Sequence, residues 1–332
     1  MSLGIMGISN KIIYIFCPAN IATGGTEALH QLRYYMEKIK LDAYLVYINV
    51  MKGINPMPDR YIIYDPKVKS LEEIEDVESN IVIAPESWSI LLNNFNKSKK
   101  CIWWLSVDFY DNLPQKRIRK LKNFVKILLR MKEKEIDRFK FTIHNCINLC
   151  GSKYAYDFLK KQRVKGIKYL VEPISKEFLE YKNTDNIERN NIILYNPAKP
   201  SDIMDRLLEC NEFEFMPLKG FNPFQLIDIY RNAKLYIDFG NFGGPERIPK
   251  EAVFFGCTIL VGNRNAAKNN FDVAILNKYK IKKYYDIDLV KNKIKFMLDN
   301  YETNINDFEF FSNKIKNLET NFIKQIVNIF YK

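Results

Sequence analysis

The chain has 332 residues, which is long for one hydrophobic core and makes two domains the default. Hydrophobic residues form 47% of it and aromatic residues 14%, which excludes a disordered chain. Net charge is +12; the six scattered cysteines show no disulfide framework and fit a reducing cytoplasm, and with only two histidines they argue against a zinc site.

Elements follow one another as strand and helix. Lys11–Cys17 reads as a strand, too short for a signal peptide. It runs into Thr23-Gly24-Gly25-Thr26-Glu27, and a helix over Gly24–Ile39 follows. Glycines at the carboxyl end of a first strand can lie against a ligand, although this pair is neither a dinucleotide fingerprint nor a P-loop. Glu27 reads equally as a helix-start acid. Further strands are predicted at Ala43–Asn49, Tyr61–Tyr64, Asn80–Ala84, Lys100–Leu105, Thr142–Leu149 and Ile167–Leu170, with a helix at Ser152–Gln162. Such alternation argues for a parallel sheet covered on both faces.

Between Lys116 and Lys132 lie eight Lys or Arg residues and no Asp or Glu, with Ile118, Leu121, Val125, Leu128 and Leu129 interleaved at helical spacing. This is a basic amphipathic helix, suited either to an anionic membrane surface or to packing on its own domain. No nucleic-acid recognition motif accompanies the charge, so nucleic acid is not expected as a partner. No apolar run is long enough to span a bilayer.

The polar stretch Tyr181–Asn191 reads as an interdomain linker. The pattern then restarts with strands at Ile192–Tyr195, Glu212–Met216 and Leu235–Phe239, and helices at Ser201–Leu208 and Pro223–Arg231. Asp286–Tyr301 and Asn306–Tyr331 are predicted helices. Asp286-Ile287-Asp288 has the spelling of a metal-binding Asp-x-Asp but stands at a helix start, where it reads as a cap. No metal site is expected.

The most informative segment is 236–261. An apolar strand enters a loop holding Gly240, Gly243 and Gly244; Pro245, Glu246, Arg247, Pro249 and Glu251 follow, then a short helix ending at Gly256 and a strand at Thr258–Val261. Glycines admit a ligand close to backbone N–H groups, and a helix start favours an anion. Arg247 offers a planar fork matched to phosphate oxygens. Glu251, one turn in, is placed to accept from vicinal hydroxyls such as those of a ribose. Lys199 and Lys219, each in a loop after a strand, are candidates to neutralise a diphosphate; a surface lysine is the other reading of each.

This segment resembles the donor-site motif of GT-B glycosyltransferases, in particular the large retaining family, called GT4-like, of bacterial polysaccharide enzymes. Glu251-Ala252 and Gly256 match its second half; the position of its first acid is held by Gly243, with Glu246 nearby. The resemblance implies an α/β protein with two Rossmann-like parallel-sheet domains facing a cleft and a C-terminal helix crossing back to the first. It implies an acceptor domain over 1–180, a donor domain over 190–305 and a crossover helix over 306–332. It also implies metal-independent transfer of a sugar, with retained configuration, from a UDP- or GDP-sugar to a saccharide or lipid-linked acceptor. The setting would be cell-surface polysaccharide assembly on the cytoplasmic face of a membrane. The nucleotide sugar is a substrate, and no cofactor is expected. Arg247, Lys199 and Asp108 are the catalytic candidates; Gly24, Gly25, Gly243, Gly244, Arg247, Glu251 and Lys219 are the donor-binding ones. Asp108, after Trp103-Trp104 at a strand end, reads either as a base or acceptor ligand or as a cap, and Glu86 has the same two readings. His30 and His144 read as a base or as ordinary core or surface histidines. A nucleotide-sugar epimerase of the same fold, and a membrane- or nucleic-acid-binding protein with a vestigial nucleotide site, are the alternatives.

Overall fold

The structure is a computed structural model, and it describes residues 11–111, 143–181, 188–199 and 201–331. The basic stretch 116–132 lies outside the described residues.

The chain divides into two compact units. The first comprises Met1–Gly151, Tyr156–Leu170 and Ile323–Lys332; the second comprises Ser152–Ala155 and Val171–Phe322. The exchange at Leu170/Val171 comes before the polar stretch at Tyr181–Asn191. Its cause is apolar: Ile174 and Phe178 are buried in the core of the second unit, so the chain is committed to that unit before the polar residues begin.

The first unit holds a six-stranded sheet in the order β2-β1-β3-β4-β5-β6. Its strands are β1 (Ile12–Pro18), β2 (Asp42–Ile48), β3 (Ile81–Pro85), β4 (Lys99–Trp104), β5 (Ile147–Cys150) and β6 (Lys168–Tyr169), paired in parallel throughout. Strands covered on both faces read as continuous apolar runs, and β3 (Ile-Val-Ile-Ala-Pro) is buried end to end. The edge of β2 is protected by an extended segment: Leu45 N–H donates to the Lys67 carbonyl at 2.9 Å, and Lys69 N–H returns to Leu45 at 3.0 Å. Helix α1 (Gly24–Lys38) opens on a capping box between Thr23 and Thr26 and buries Ala28, Leu29, Leu32, Tyr35 and Met36, the spacing of one helical face.

The second unit holds a five-stranded sheet in the order β11-β10-β9-β7-β8. These are β7 (Asn190–Tyr195), β8 (Glu214–Pro217), β9 (Ala233–Asp238), β10 (Thr258–Gly262) and β11 (Lys280–Ile281), also parallel. β8 is an edge strand and stays half exposed.

Three predicted elements differ. Tyr61–Tyr64 is not a strand but part of a 3-10 helix, Asp59–Tyr64. Its buried residues are Tyr61 and Tyr64, three apart, while Ile62 is exposed; that is the period of a 3-10 turn and not of a strand. The fifth strand begins only at Ile147, because Ile143 and His144 form a helical turn and residue 142 lies outside the described residues. The last helix is broken into a 3-10 turn (Ile305–Phe308) and two helices, Glu309–Lys316 and Leu318–Phe330. At the second break the Asn317 side chain donates to the Asn313 carbonyl at 2.8 Å, and Asn317 falls between the two helices. The apolar stripe Phe308, Phe311, Ile315, Leu318, Phe322 and Ile326 is buried, and Phe330 is buried at its end. Asp286 caps its helix, accepting from Leu289 N–H at 3.1 Å. No helix among the described residues is long and apolar enough to cross a membrane.

Candidate functional site

In an open parallel sheet, ligands bind outside the carboxyl ends of the strands, at the point where successive connections leave in opposite directions. In the second unit the chain goes from β7 to β8 on one side, then crosses to β9 on the other. The crevice is therefore set by the loop after β7, which carries Lys199, and by the glycine segment after β9.

A turn fixes Lys199: the Asn196 side chain accepts from Ala198 N–H at 3.0 Å, and the Asn196 carbonyl from Lys199 N–H at 3.2 Å. The Lys199 ammonium lies 2.7 Å from Glu246 Oε2 and 3.7 Å from Asp238 Oδ2. It donates to the Asn241 carbonyl at 3.1 Å and sits 4.7 Å from the centre of the Phe242 ring.

Asp238, the last residue of β9, is 4% exposed. Its carboxylate accepts from Gly240 N–H at 2.8 Å and from Tyr236 Oη at 3.0 Å. Burial pushes its pKa up, opposed by Lys199 and these donors. A Cβ at Gly240 would lie 3.1 Å from both Asp238 Oδ1 and Lys199 Cβ, so the missing side chain is what lets this loop lie against Lys199. Glu246 has φ of 40°, a backbone state that disfavours side chains, and flanks the start of helix α2 (Arg247–Phe254) without capping it. Its carboxylate turns instead to Lys199; burial pushes its pKa up, and Lys199 opposes the shift. Gly243 and Gly244 are buried, and the Gly243 N–H is bonded to the Glu246 carboxylate.

The other residues of the motif face inward. Arg247 Nη2 donates to the Pro173 carbonyl at 2.8 Å. Glu251 is buried and accepts from Tyr230 Oη at 3.2 Å. Between them, Lys250 forms a buried pair with Glu172 at 3.1 Å. Gly256, just past α2, has φ of 90°, the left-handed state that favours glycine at a helix end. Lys219 is exposed in the turn after β8.

In the first unit, Gly24 and Gly25 open α1. The nearest atom to a Cβ on Gly25 would be Leu105 Cδ1 at 3.8 Å, an ordinary contact, so packing does not demand this glycine. Asp108 lies half-buried in a short helical segment, Val107–Asp111. Glu27 is buried and accepts from Tyr64 Oη at 2.7 Å and Arg60 Nη2 at 3.2 Å. His30 is a core histidine: its ring nitrogens lie 2.7 Å from the Thr26 carbonyl and 2.8 Å from Tyr47 Oη, and burial lowers its pKa to about 4. Glu86 is buried at the end of β3, accepts from Leu105 N–H at 2.9 Å and has its pKa raised to about 7 by burial. His144 is exposed.

Lys199, the glycine segment and Glu246 are thus brought together. Asp238 was not among the expected site residues. Its signal was a lone acid ending an apolar strand directly before a glycine loop.

Sequence comparison finds no matching family model and no curated relative. Comparison of folds does find likenesses. Sucrose-phosphate synthase of Thermosynechococcus elongatus aligns with a TM-score of 0.63 at 10% identity, covering 97% of this chain and 98% of that one. A glycosyltransferase of Rickettsia africae aligns at 0.60 and 11% identity, with 97% and 98% covered. An alpha-glucosyltransferase solved with UDP and a 13-mer DNA aligns at 0.56 and 11% identity, with 97% and 99% covered. Two parallel sheets of six and five strands, with their helices, give this chain the fold of the GT-B glycosyltransferases.

Proposed function

We propose that the protein is a glycosyltransferase that moves a sugar from a nucleotide-sugar donor to an acceptor hydroxyl. The observation that carries this reading is the meeting of Lys199 with the glycine segment at the β7/β9 switch point, in a chain that aligns over 97% of its length with glycosyltransferases. Transfer breaks a sugar–phosphate bond, so negative charge grows on the departing diphosphate. A preorganised ammonium and the amides at the start of α2 stabilise that charge where it develops. Lys199 is the principal cation and Arg247 the second, its guanidinium held at the start of α2 by the Pro173 carbonyl. Glu251 accepts from the ribose hydroxyls, and Lys219 lies at the rim. In the first unit, Gly24 and Gly25 are further donor-binding candidates, and Asp108 is the ligand or base for the acceptor hydroxyl.

The match of Glu251-Ala252 and Gly256 to the retaining family supports retention of configuration, and the cations named above support transfer without a metal. The acceptor is a saccharide or a lipid-linked saccharide of the cell surface, reached from the cytoplasmic side, with 116–132 resting on anionic lipid. The DNA in the alpha-glucosyltransferase complex makes an oligonucleotide the control acceptor.

The test is a thermal-shift panel of UDP- and GDP-sugars. A ligand that binds only the folded state raises the melting temperature, and the responding donor is then assayed for nucleoside diphosphate release with each acceptor class. Release that depends on acceptor supports transfer; epimerised sugar without acceptor contradicts it.

A further inference from the structure

The ammonium of Lys199 is already engaged. Glu246, Asp238 and the Asn241 carbonyl share it at 2.7, 3.7 and 3.1 Å. One cation between two carboxylates leaves surplus negative charge at the place where the donor reading needs a diphosphate. A diphosphate can dock there only if Lys199 turns toward it and one carboxylate gives way.

The two carboxylates are not equally able to yield. Asp238 is nearly inaccessible and is held by Tyr236 and Gly240 as well as by Lys199. Glu246 has a quarter of its side chain exposed, occupies a strained φ, and besides Lys199 is held only by the Gly243 N–H, against two donors on Asp238. The charged and titratable groups that face it are Lys199 from the loop after β7, and Asp238 and Tyr236 from β9. The guanidinium of neighbouring Arg247 is directed to the Pro173 carbonyl.

We propose that Glu246 is a positioning residue that holds Lys199 before the donor binds and is displaced by the donor's diphosphate, taking a proton from solvent as it loses its cation. This rests on the donor-site reading above. With Lys199 turned to the phosphates, Glu246 keeps the Gly243 N–H but loses its cation and still faces Asp238, and its proton affinity rises on binding. Donor binding therefore tightens as pH falls and weakens as pH rises through the bound-state pKa of Glu246.

Isothermal titration of the full chain with UDP-glucose and with GDP-mannose, from about pH 5.5 to pH 8, tests this. Neither ligand carries a phosphate monoester, whose ionisation near pH ~6 would confuse the readout. For whichever binds, the expected dissociation constant rises with pH, and heats in two buffers of different ionisation enthalpy report proton uptake. Glu246→Gln binds about tenfold tighter at the upper pH, with a flat pH profile and no proton uptake. Glu246→Ala gives the same direction and guards against a local effect of the amide. Wild-type binding that is independent of pH, or Glu246 variants that bind no more tightly, overturns the inference and leaves the donor site standing. Binding of neither ligand by the wild type overturns both.

Discussion

The two sheets share a topology and use it differently. Each has a switch point, β1/β3 in the first unit and β7/β9 in the second. Around the first, three titratable groups are folded inward: His30, Glu27 and Glu86 are all buried and bonded to their own surroundings. Around the second, a strand-end acid, a strained glutamate and a lysine from a neighbouring loop converge on one point. The same layout therefore carries buried, internally bonded groups on one side and clustered charge on the other. Topology marks two places to look, and the arrangement of charge separates them.

The largest effect is expected at Lys199. Lys199→Ala removes the cation at the second switch point and should lower kcat/KM about 10²- to 10³-fold, the scale of losing one preorganised donor to a developing oxyanion. Steady-state kinetics on the donor identified by thermal shift measures this. A loss under threefold would place the chemistry elsewhere.

At the first switch point the expected signature is stability, with no change in donor binding. Burial lowers the His30 pKa from about 6.5 unfolded to about 4 folded, so its contribution is present above the unfolded value and is lost as pH falls through that window. Glu86 runs the other way. Its pKa rises from about 4.5 to about 7, so its contribution is present at low pH and is lost as pH rises toward 7. Each is on the order of 3 kcal/mol, and over their shared range the two oppose one another. His30→Gln should leave stability falling with rising pH, and Glu86→Gln the reverse. Chemical denaturation at several pH values reads both slopes; parallel slopes in the two variants would contradict the assignment.

Glu251 tests the boundary between the two kinds of region, since it lies in the proposed donor segment yet is buried against Tyr230. Glu251→Gln keeps an acceptor for the Tyr230 hydroxyl and should hardly move the melting temperature. If the carboxylate also takes ribose hydroxyls, donor affinity falls about tenfold, as expected for charge-assisted hydrogen bonds. A purely structural Glu251 would leave affinity unchanged. Lys219, exposed at the rim, should matter least: Lys219→Ala is expected to change the donor KM by less than about threefold.

Much of the fold was legible because both sheets are doubly covered, so their strands stand out as short apolar runs between turn residues. Misreadings came where an apolar run serves a different period. Tyr61 and Tyr64 bury every third residue, and a four-residue window cannot distinguish that from a strand. The glycine segment after β9 was legible as a loop, from its glycines and prolines. Which of its charged residues turn outward was not, because the helical register carries Lys250 and Glu251 into the interior, and the backbone state of Glu246 swings its carboxylate back toward Lys199. The contact between Lys199 and Asp238 joins the loop after β7 to the end of β9, strands that are neighbours only in the folded sheet, and no local pattern announces it.

The most direct measurement is a crystal structure of the protein with a bound nucleoside diphosphate. The expected result places the two phosphates within hydrogen-bond distance of Lys199 Nζ and of the amides leading into α2, with Glu246 withdrawn from the lysine. A nucleotide bound at the β1/β3 switch point, or anywhere that leaves the Lys199–Glu246 pair intact, would contradict it.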